Sequence, residues 1–280
     1  MGQPLVSIVT PSLNQGRFIR ATIESVLRQD YSPIEYIVMD GGSSDETAAV
    51  VKDYASRLTW ISEPDRGQSH AINKGFRMAK GSVLSWLNSD DLILPGAVRH
   101  AVNGLEQDPE AGAVYGEGYL IDREGNTTGR FPWTEPFHLW KLTHLSDYIL
   151  QQTVYFRREA IEQVGLLRED LHYVMDWDIL IRVGQRYGLH YIPEYMGCLR
   201  EYPEAKSSAG GRARIREIGQ LIGKSSPGYK VYALHTYRKL WCDWIAANMP
   251  RALATPIQRV VSFACGGCAD RIQSRAQRVD

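Results

Sequence analysis

The sequence predicts an α/β fold: a mainly parallel β-sheet with flanking helices, followed by a helical C-terminal extension. Three observations carry this. From residue 6 to about 114, short β-branched runs alternate with longer amphipathic stretches, the pattern of βαβ units. Acidic clusters fall at the ends of the strand-like runs, where open sheets of this class bind their ligands. Past Ser207 the strand signal stops and only helical segments remain.

The strand-like runs cover residues 6–10, 34–39, 58–62, 83–87 and 113–115. Between them the spacing predicts helices over 18–28, 45–55, 69–79 and 95–107, with Pro95 suited to a first turn, where a missing amide donor costs nothing. After Tyr115 the alternation ends. An extended run over 119–123 leads to a turn at Glu124-Gly125-Asn126 and a stretch rich in Pro, Trp and His through His144. A strand over 153–156, a helix over 158–164, a helix from near Asp176 and a strand around Tyr191 complete one continuous domain, placed at residues 1–208. The extension, 209–280, reads as helices over 212–223, 229–247 and 256–278.

Composition narrows the function classes. A chain of 280 residues that is 44% apolar and 23% charged can bury a sizeable core, which sets disorder aside. Its 32 basic and 32 acidic residues cancel, so no basic excess points to nucleic acid. Four cysteines are too few and too unevenly placed for a disulfide framework, and Cys265-Gly-Gly-Cys268 lacks the second pair that a zinc site needs. No leader is visible before Val6 and no window reaches the apolar length of a membrane span, so a cytoplasmic setting is expected.

Four acidic clusters hold the candidate chemistry. Asp40-Gly-Gly-Ser-Ser-Asp45 follows the second strand; its glycines allow tight turning, and the same residues also suit a capped strand-to-helix turn. Ser62-Glu63-Pro64-Asp65-Arg66-Gly67-Gln68 follows the third, where Arg66 can meet a phosphate or remain a solvated loop charge. Asn88-Ser89-Asp90-Asp91 follows the buried run Val83 to Leu87. Adjacent carboxylates there can seat a hard cation on a diphosphate, because magnesium and manganese prefer oxygen ligands and keep positions for phosphate. In Met175-Asp176-Trp177-Asp178, Asp178 stands four residues before Arg182 and can pair with it on a helix. Asp176 is then the freer carboxylate, suited to act as a general base or as a helix cap.

Thr10-Pro11-Ser12-Leu13-Asn14, the Asp40 to Asp45 loop, Glu63 to Gly67 with Ala71-Ile72-Asn73-Lys74-Gly75, Asp90-Asp91 and Met175 to Asp178 together resemble the family 2 glycosyltransferases, in order and spacing, over roughly residues 4–208. The resemblance implies a GT-A fold, a Rossmann-like nucleotide-diphospho-sugar transferase architecture. It also implies inverting transfer of a sugar from a nucleoside-diphosphate donor to a carbohydrate or lipid-linked acceptor in polysaccharide or glycoconjugate synthesis, with Mn2+ or Mg2+. Carried over by position, Pro11 and Ser12 lie against the nucleoside, Asp40 bonds the base, and Asn14, Asp65 and Arg66 belong to the donor site. Asp90 faces the ribose or sugar, Asp91 ligates the metal, and Asp176 is the base. One-step inversion needs a base on the acceptor side and charge neutralisation at the departing diphosphate, tasks that one carboxylate cannot combine.

Three departures stand out. Tyr202, in Arg200-Glu201-Tyr202-Pro203, occupies the place where many such proteins carry a metal-ligating His, and His70 stands where close relatives are commonly acidic. The C-terminal region is not reached by the resemblance. Its Arg251, Arg259, Arg271, Arg275 and Arg278, against Asp270 and Asp280, suit either peripheral contact with the inner face of an anionic membrane or an ordinary solvated helix face. Nucleotidyl transfer is a poorer match, since no glycine-rich, Arg-containing loop follows the first strand. The competing non-enzymatic reading is a catalytically impaired relative that binds nucleotide or carbohydrate, which Tyr202 favours and the retained Asp40, Asp91 and Asp176 oppose.

Overall fold

The structure is a computed structural model that describes residues 2–206 and 210–248. The expected helix over 256–278, the Cys265 and Cys268 pair and the arginines from Arg251 onward lie outside the described residues.

The first half follows the βαβ expectation. β1 (Val6–Ser12), α1 (Gly16–Leu27), β2 (Ile34–Asp40), α2 (Thr47–Lys52), β3 (Thr59–Ser62), α3 (Gln68–Met78) and β4 (Val83–Trp86) build a parallel sheet in the order β3-β2-β1-β4. Both faces are covered, so the strands read as continuous apolar runs. Val9, Ile37, Met39, Leu84 and Trp86 join a core that includes Ala71, Ile72 and Phe76 of α3. Ile8, Tyr36, Val38 and Val83 face Ile19, Ile23 and Val26 of α1. Each fully buried aliphatic side chain in these layers contributes about 1.5–3 kcal/mol. The chain leaves β1 toward β2 on one side and returns through β4 on the other, so the sheet has its topological switch between β1 and β4.

The second half is more mixed than a mainly parallel sheet implies. β5 (Leu92–Ile93), α4 (Ala97–Gln107), β6 (Ala113–Ile121), β7 (Thr127–Arg130), α5 (Leu139–His144), β8 (Tyr155–Arg157), α6 (Arg158–Val164), α7 (Met175–Tyr187) and β9 (Leu189–Arg200) continue the same sheet in the order β4-β8-β6-β9-β5, with β7 on β6. β8 runs antiparallel between β4 and β6, and β5 and β7 are also antiparallel additions, whereas β6 and β9 are parallel. Pro95 precedes α4 rather than opening it. The Ala97 amide bonds the Leu94 carbonyl at 3.1 Å across a turn whose Gly96 takes a left-handed φ of 84°, a conformation that needs glycine.

The helices beyond residue 208 share the core of the sheet domain. In α8 (Gly211–Leu221), Ile215 and Ile218 are buried in the cluster that contains Ile179 and Leu180 of α7. Glu217 accepts the backbone N–H groups of His172 and Tyr173, at 3.0 and 2.6 Å, and so fixes the loop that leads into α7. The last helix, α9 (Pro227–Asn248), sets Tyr232 against Trp177 with ring centroids 5.9 Å apart. No helix among the described residues is long and apolar enough to cross a membrane.

Candidate active site

The carboxyl ends of β1, β2 and β3 hold one polar cluster. Parallel register sets Ser12 beside Asp40 and Asp40 beside Ser62. Asp40 is 2% exposed; it accepts hydrogen bonds from the Ser43 amide and hydroxyl on its own loop and from the Ser62 hydroxyl. Asn14 takes a left-handed φ of 54°, and its side-chain oxygen accepts the Ser44 amide at 2.9 Å, locking the β1–α1 loop to the Asp40 loop. Gly41 leaves room for Asp65, because a Cβ there would lie 2.6 Å from Asp65 Oδ2, while Asp65 Oδ1 accepts the Gly67 amide at 2.7 Å. Pro11, Ser12, Asn14, Asp40 and Asp65 therefore come together. The Ser12 hydroxyl is buried with no partner among the described residues, an orphan acceptor and donor of the kind a ligand satisfies. Arg66 is not in this cluster: its guanidinium pairs with Glu169 at 2.6 Å. His70, the second departure, accepts the Arg66 amide through Nδ1 at 3.2 Å and serves the loop itself.

At the end of β4 the two adjacent carboxylates differ in surroundings. Asp91 is 2% exposed and both of its oxygens are engaged, Oδ1 by the Arg200 amide at 2.8 Å and Oδ2 by Gln152 Nε2 at 2.6 Å and Asn88 Nδ2 at 3.1 Å. Burial, and then the charge of Asp90, push its carboxyl up to about 7. Asp90 is half-buried and its Oδ2 accepts the Tyr202 hydroxyl at 2.7 Å. Arg200 supports this loop, with Nε on the Asp90 carbonyl at 2.6 Å and its guanidinium over the Phe18 ring. Tyr202 is itself held between Phe18, 5.2 Å away, and the Arg123 guanidinium, 5.6 Å away. Burial and the Asp90 charge raise the Tyr202 phenol well above its ordinary value, so it stays protonated and donates.

The third wall is the N-terminal turn of α7. Asp178 pairs with Arg182 at 2.7 Å, the contact that the four-residue spacing predicts. Asp176 accepts the Trp177 amide at 2.9 Å on Oδ1, and burial raises its carboxyl above the ordinary range, against the lowering charges of Lys206 and Arg214. Asp147, which precedes Tyr148 after α5, is raised well above the usual range by burial and by the charge of Asp176. A chain of side-chain bonds runs from Lys206, whose charge Asp176 feels, to the carboxylate loop: Lys206 Nζ donates to Gln68 Oε1 at 2.6 Å, Gln68 Nε2 to Asn88 Oδ1 at 2.7 Å, and Asn88 Nδ2 to Asp91.

This mixed sheet and its acidic loops have precedents among known proteins. Residues 7–165, more than half of the chain, match the profile of Glycosyl transferase family 2. The chain belongs to that family. An uncharacterized glycosyltransferase of Rickettsia prowazekii is 30% identical over 198 residues, which cover 68% of this chain and 62% of that protein. Chondroitin synthase of Escherichia coli is 30% identical over 186 residues, 65% of this chain and 27% of that one. The chain thus spans about three-fifths of the first relative and a smaller part of the second. Among solved structures, the mannosyltransferase PcManGT from Pyrobaculum calidifontis, in complex with GDP-Man and Mn2+, aligns over 99% of this chain and 85% of that one, with a TM-score of 0.63 at 19% identity. S. aureus TarS 1-349 in complex with UDP-GlcNAc aligns over 79% and 67%, with a TM-score of 0.61 at 16% identity. The fold is the GT-A fold that the family resemblance implies.

Within that family frame, the metal question turns on donor chemistry. Among the described residues no three His, Cys, Asp or Glu side chains gather as a ligand set. Asp90 presents a half-buried carboxylate beside the neutral phenol of Tyr202, and such a site suits a hard cation that completes its shell with water and diphosphate oxygens. Sequence motifs pointed to the acidic clusters, with Gln68 and Asn88 inside them, but not to Gln152, Asp147, Lys206 or Arg214, because these meet the clusters through long-range packing and share no local spacing.

Proposed function

We propose that this chain transfers a sugar from a nucleoside-diphosphate donor to an acceptor hydroxyl by single displacement with inversion, in the synthesis of a polysaccharide or glycoconjugate. The observation that supports it best is a pair of differently held carboxylates, Asp90 beside the phenol of Tyr202 and Asp176 at the head of α7. Ser12, Asn14, Asp40 and Asp65 with Pro11 form the nucleoside end. Asp40, which the resemblance set against the base, has both oxygens taken by Ser43 and Ser62 and shapes that end, so we give the contact with the base to Asp65, which lies against Gly41. Arg66 secures the loop through Glu169.

We place the metal at Asp90 and give Asp91 the task of holding the loop, a change from the sequence reading whose physical reason is that both Asp91 oxygens already accept protein hydrogen bonds. Manganese or magnesium bound there supplies charge neutralisation at the diphosphate. Asp176 accepts the proton of the attacking hydroxyl, and its burial makes it a stronger base than an open carboxylate.

Incubation with a panel of UDP-, GDP- and dTDP-sugars, with and without manganese, tests this reading. Release of nucleoside diphosphate from one donor, accelerated by manganese, is expected. Tight nucleotide binding without any release would favour the impaired-relative reading, and neither binding nor release would overturn both.

A further inference from the structure

Lys206 is a cation that the mechanism above leaves unused. It is half-buried, and among the described residues it makes no ion pair; its one hydrogen-bond acceptor there is the neutral amide oxygen of Gln68, at 2.6 Å. An ammonium carries three donors, so two remain. Taking a cation out of water without a counter-charge is unfavourable, and burial does lower the Lys206 ammonium below its usual value, opposed by the more distant charges of Asp176 and Glu217.

Its placement is specific. Lys206 and Tyr202 leave the same turn, closed by the Ala205 amide on the Tyr202 carbonyl at 3.0 Å, and each reaches a different side of the carboxylate loop. Tyr202 donates to Asp90, while Lys206 reaches Asn88 through Gln68. The ammonium is therefore tied through Gln68 to the loop where the diphosphate is to sit, and the carboxyl of the proposed base feels its charge. A metal held by one carboxylate leaves much of a diphosphate's charge to be met by something else.

The geometry points to Lys206 as a catalytic residue that binds the departing diphosphate directly. This rests on the glycosyltransferase reading. In the reaction the bond from the anomeric carbon to the β-phosphate oxygen breaks and its electron pair stays on that oxygen. The acceptor oxygen forms the new bond to carbon, and its proton goes to Asp176. Lys206 keeps its proton and donates hydrogen bonds that strengthen as charge develops on the leaving oxygen.

Calorimetric titration with UDP and UMP, and with GDP and GMP, in the presence of manganese, separates this role from a structural one. The native protein should bind the diphosphate of one pair more tightly than its monophosphate. Lys206→Met should weaken diphosphate binding by about tenfold or more, as expected for a lost charge-assisted hydrogen bond, and change monophosphate binding by less than about twofold. Lys206→Arg should recover most of the loss. Lys206→Gln, which keeps a polar partner for Gln68, should behave as Lys206→Met does and covers the case in which that variant folds poorly. Equal losses for both nucleotides, or no loss in either neutral variant, would overturn the assignment. A native protein that binds neither UDP nor GDP would overturn it together with the glycosyltransferase reading.

Discussion

Asp176→Asn is expected to lower kcat by about a hundredfold or more while donor affinity stays within about twofold. The amide keeps the shape and the oxygen that accepts the Trp177 amide, so the head of α7 is preserved; basicity is what is lost. The pH profile carries the same signature. Burial holds the Asp176 carboxyl above its ordinary range, so the native rate should fall as acid protonates it, at a pH higher than an open aspartate would give. The residual rate of the variant should lack that acid limb. Should Asp178→Asn remove turnover instead, with Asp176→Asn near native, the two residues would exchange roles, although the Asp178 pair with Arg182 at 2.7 Å makes its loss a matter of stability.

Asp90 and Asp91 are expected to separate cleanly. Asp90→Ala should abolish the manganese dependence of nucleotide binding and turnover, with a melting temperature close to native, because Asp90 is only half-buried and, among the described residues, its carboxylate hydrogen-bonds only Tyr202. Asp91→Ala should instead destabilise the fold by about 1–3 kcal/mol or more, since it strands the Arg200 amide and the amides of Gln152 and Asn88 in the interior. A pH series adds an independent sign. The folded-state value of Asp91, about 7, lies above its unfolded value, so the folded protein binds the extra proton. Stability of the native protein should therefore decline as pH rises from about 4 to 7, and Asp91→Ala should lose that slope. Melting curves together with manganese titrations on both variants decide the matter. Loss of manganese dependence in a stable Asp91 variant with Asp90→Ala unaffected would return the metal to Asp91.

The parallel half of the sheet was legible because its strands are buried on both faces and its helices are amphipathic, so periodicity alone marks them. Residues 158–164 and the opening of α7 near Asp176 were likewise plain. β5 was not, since Leu92 and Ile93 are too short to show a period and owe their pairing to the distant strand β9. β8 carries no mark of its antiparallel direction, since three residues are too few to show a period and their pairing is with the distant strands β4 and β6. The acidic loops were found from composition at strand ends, yet the distinction between Asp90 and Asp91 depends on Arg200, Gln152 and Tyr202, which stand 61 to 112 positions away. Lys206 had no local signal at all. Its meaning comes from Gln68, 138 positions earlier in the chain.

Single displacement by one base is the centre of this account, and the anomeric configuration of the first product reports on it directly. With the donor identified by the sugar screen, proton NMR of early product should show the anomer opposite to that of the donor, before any mutarotation of free sugar. A first product with the donor's own configuration would contradict the mechanism, because retention requires a second displacement or an internal return that Asp176 as sole base does not provide.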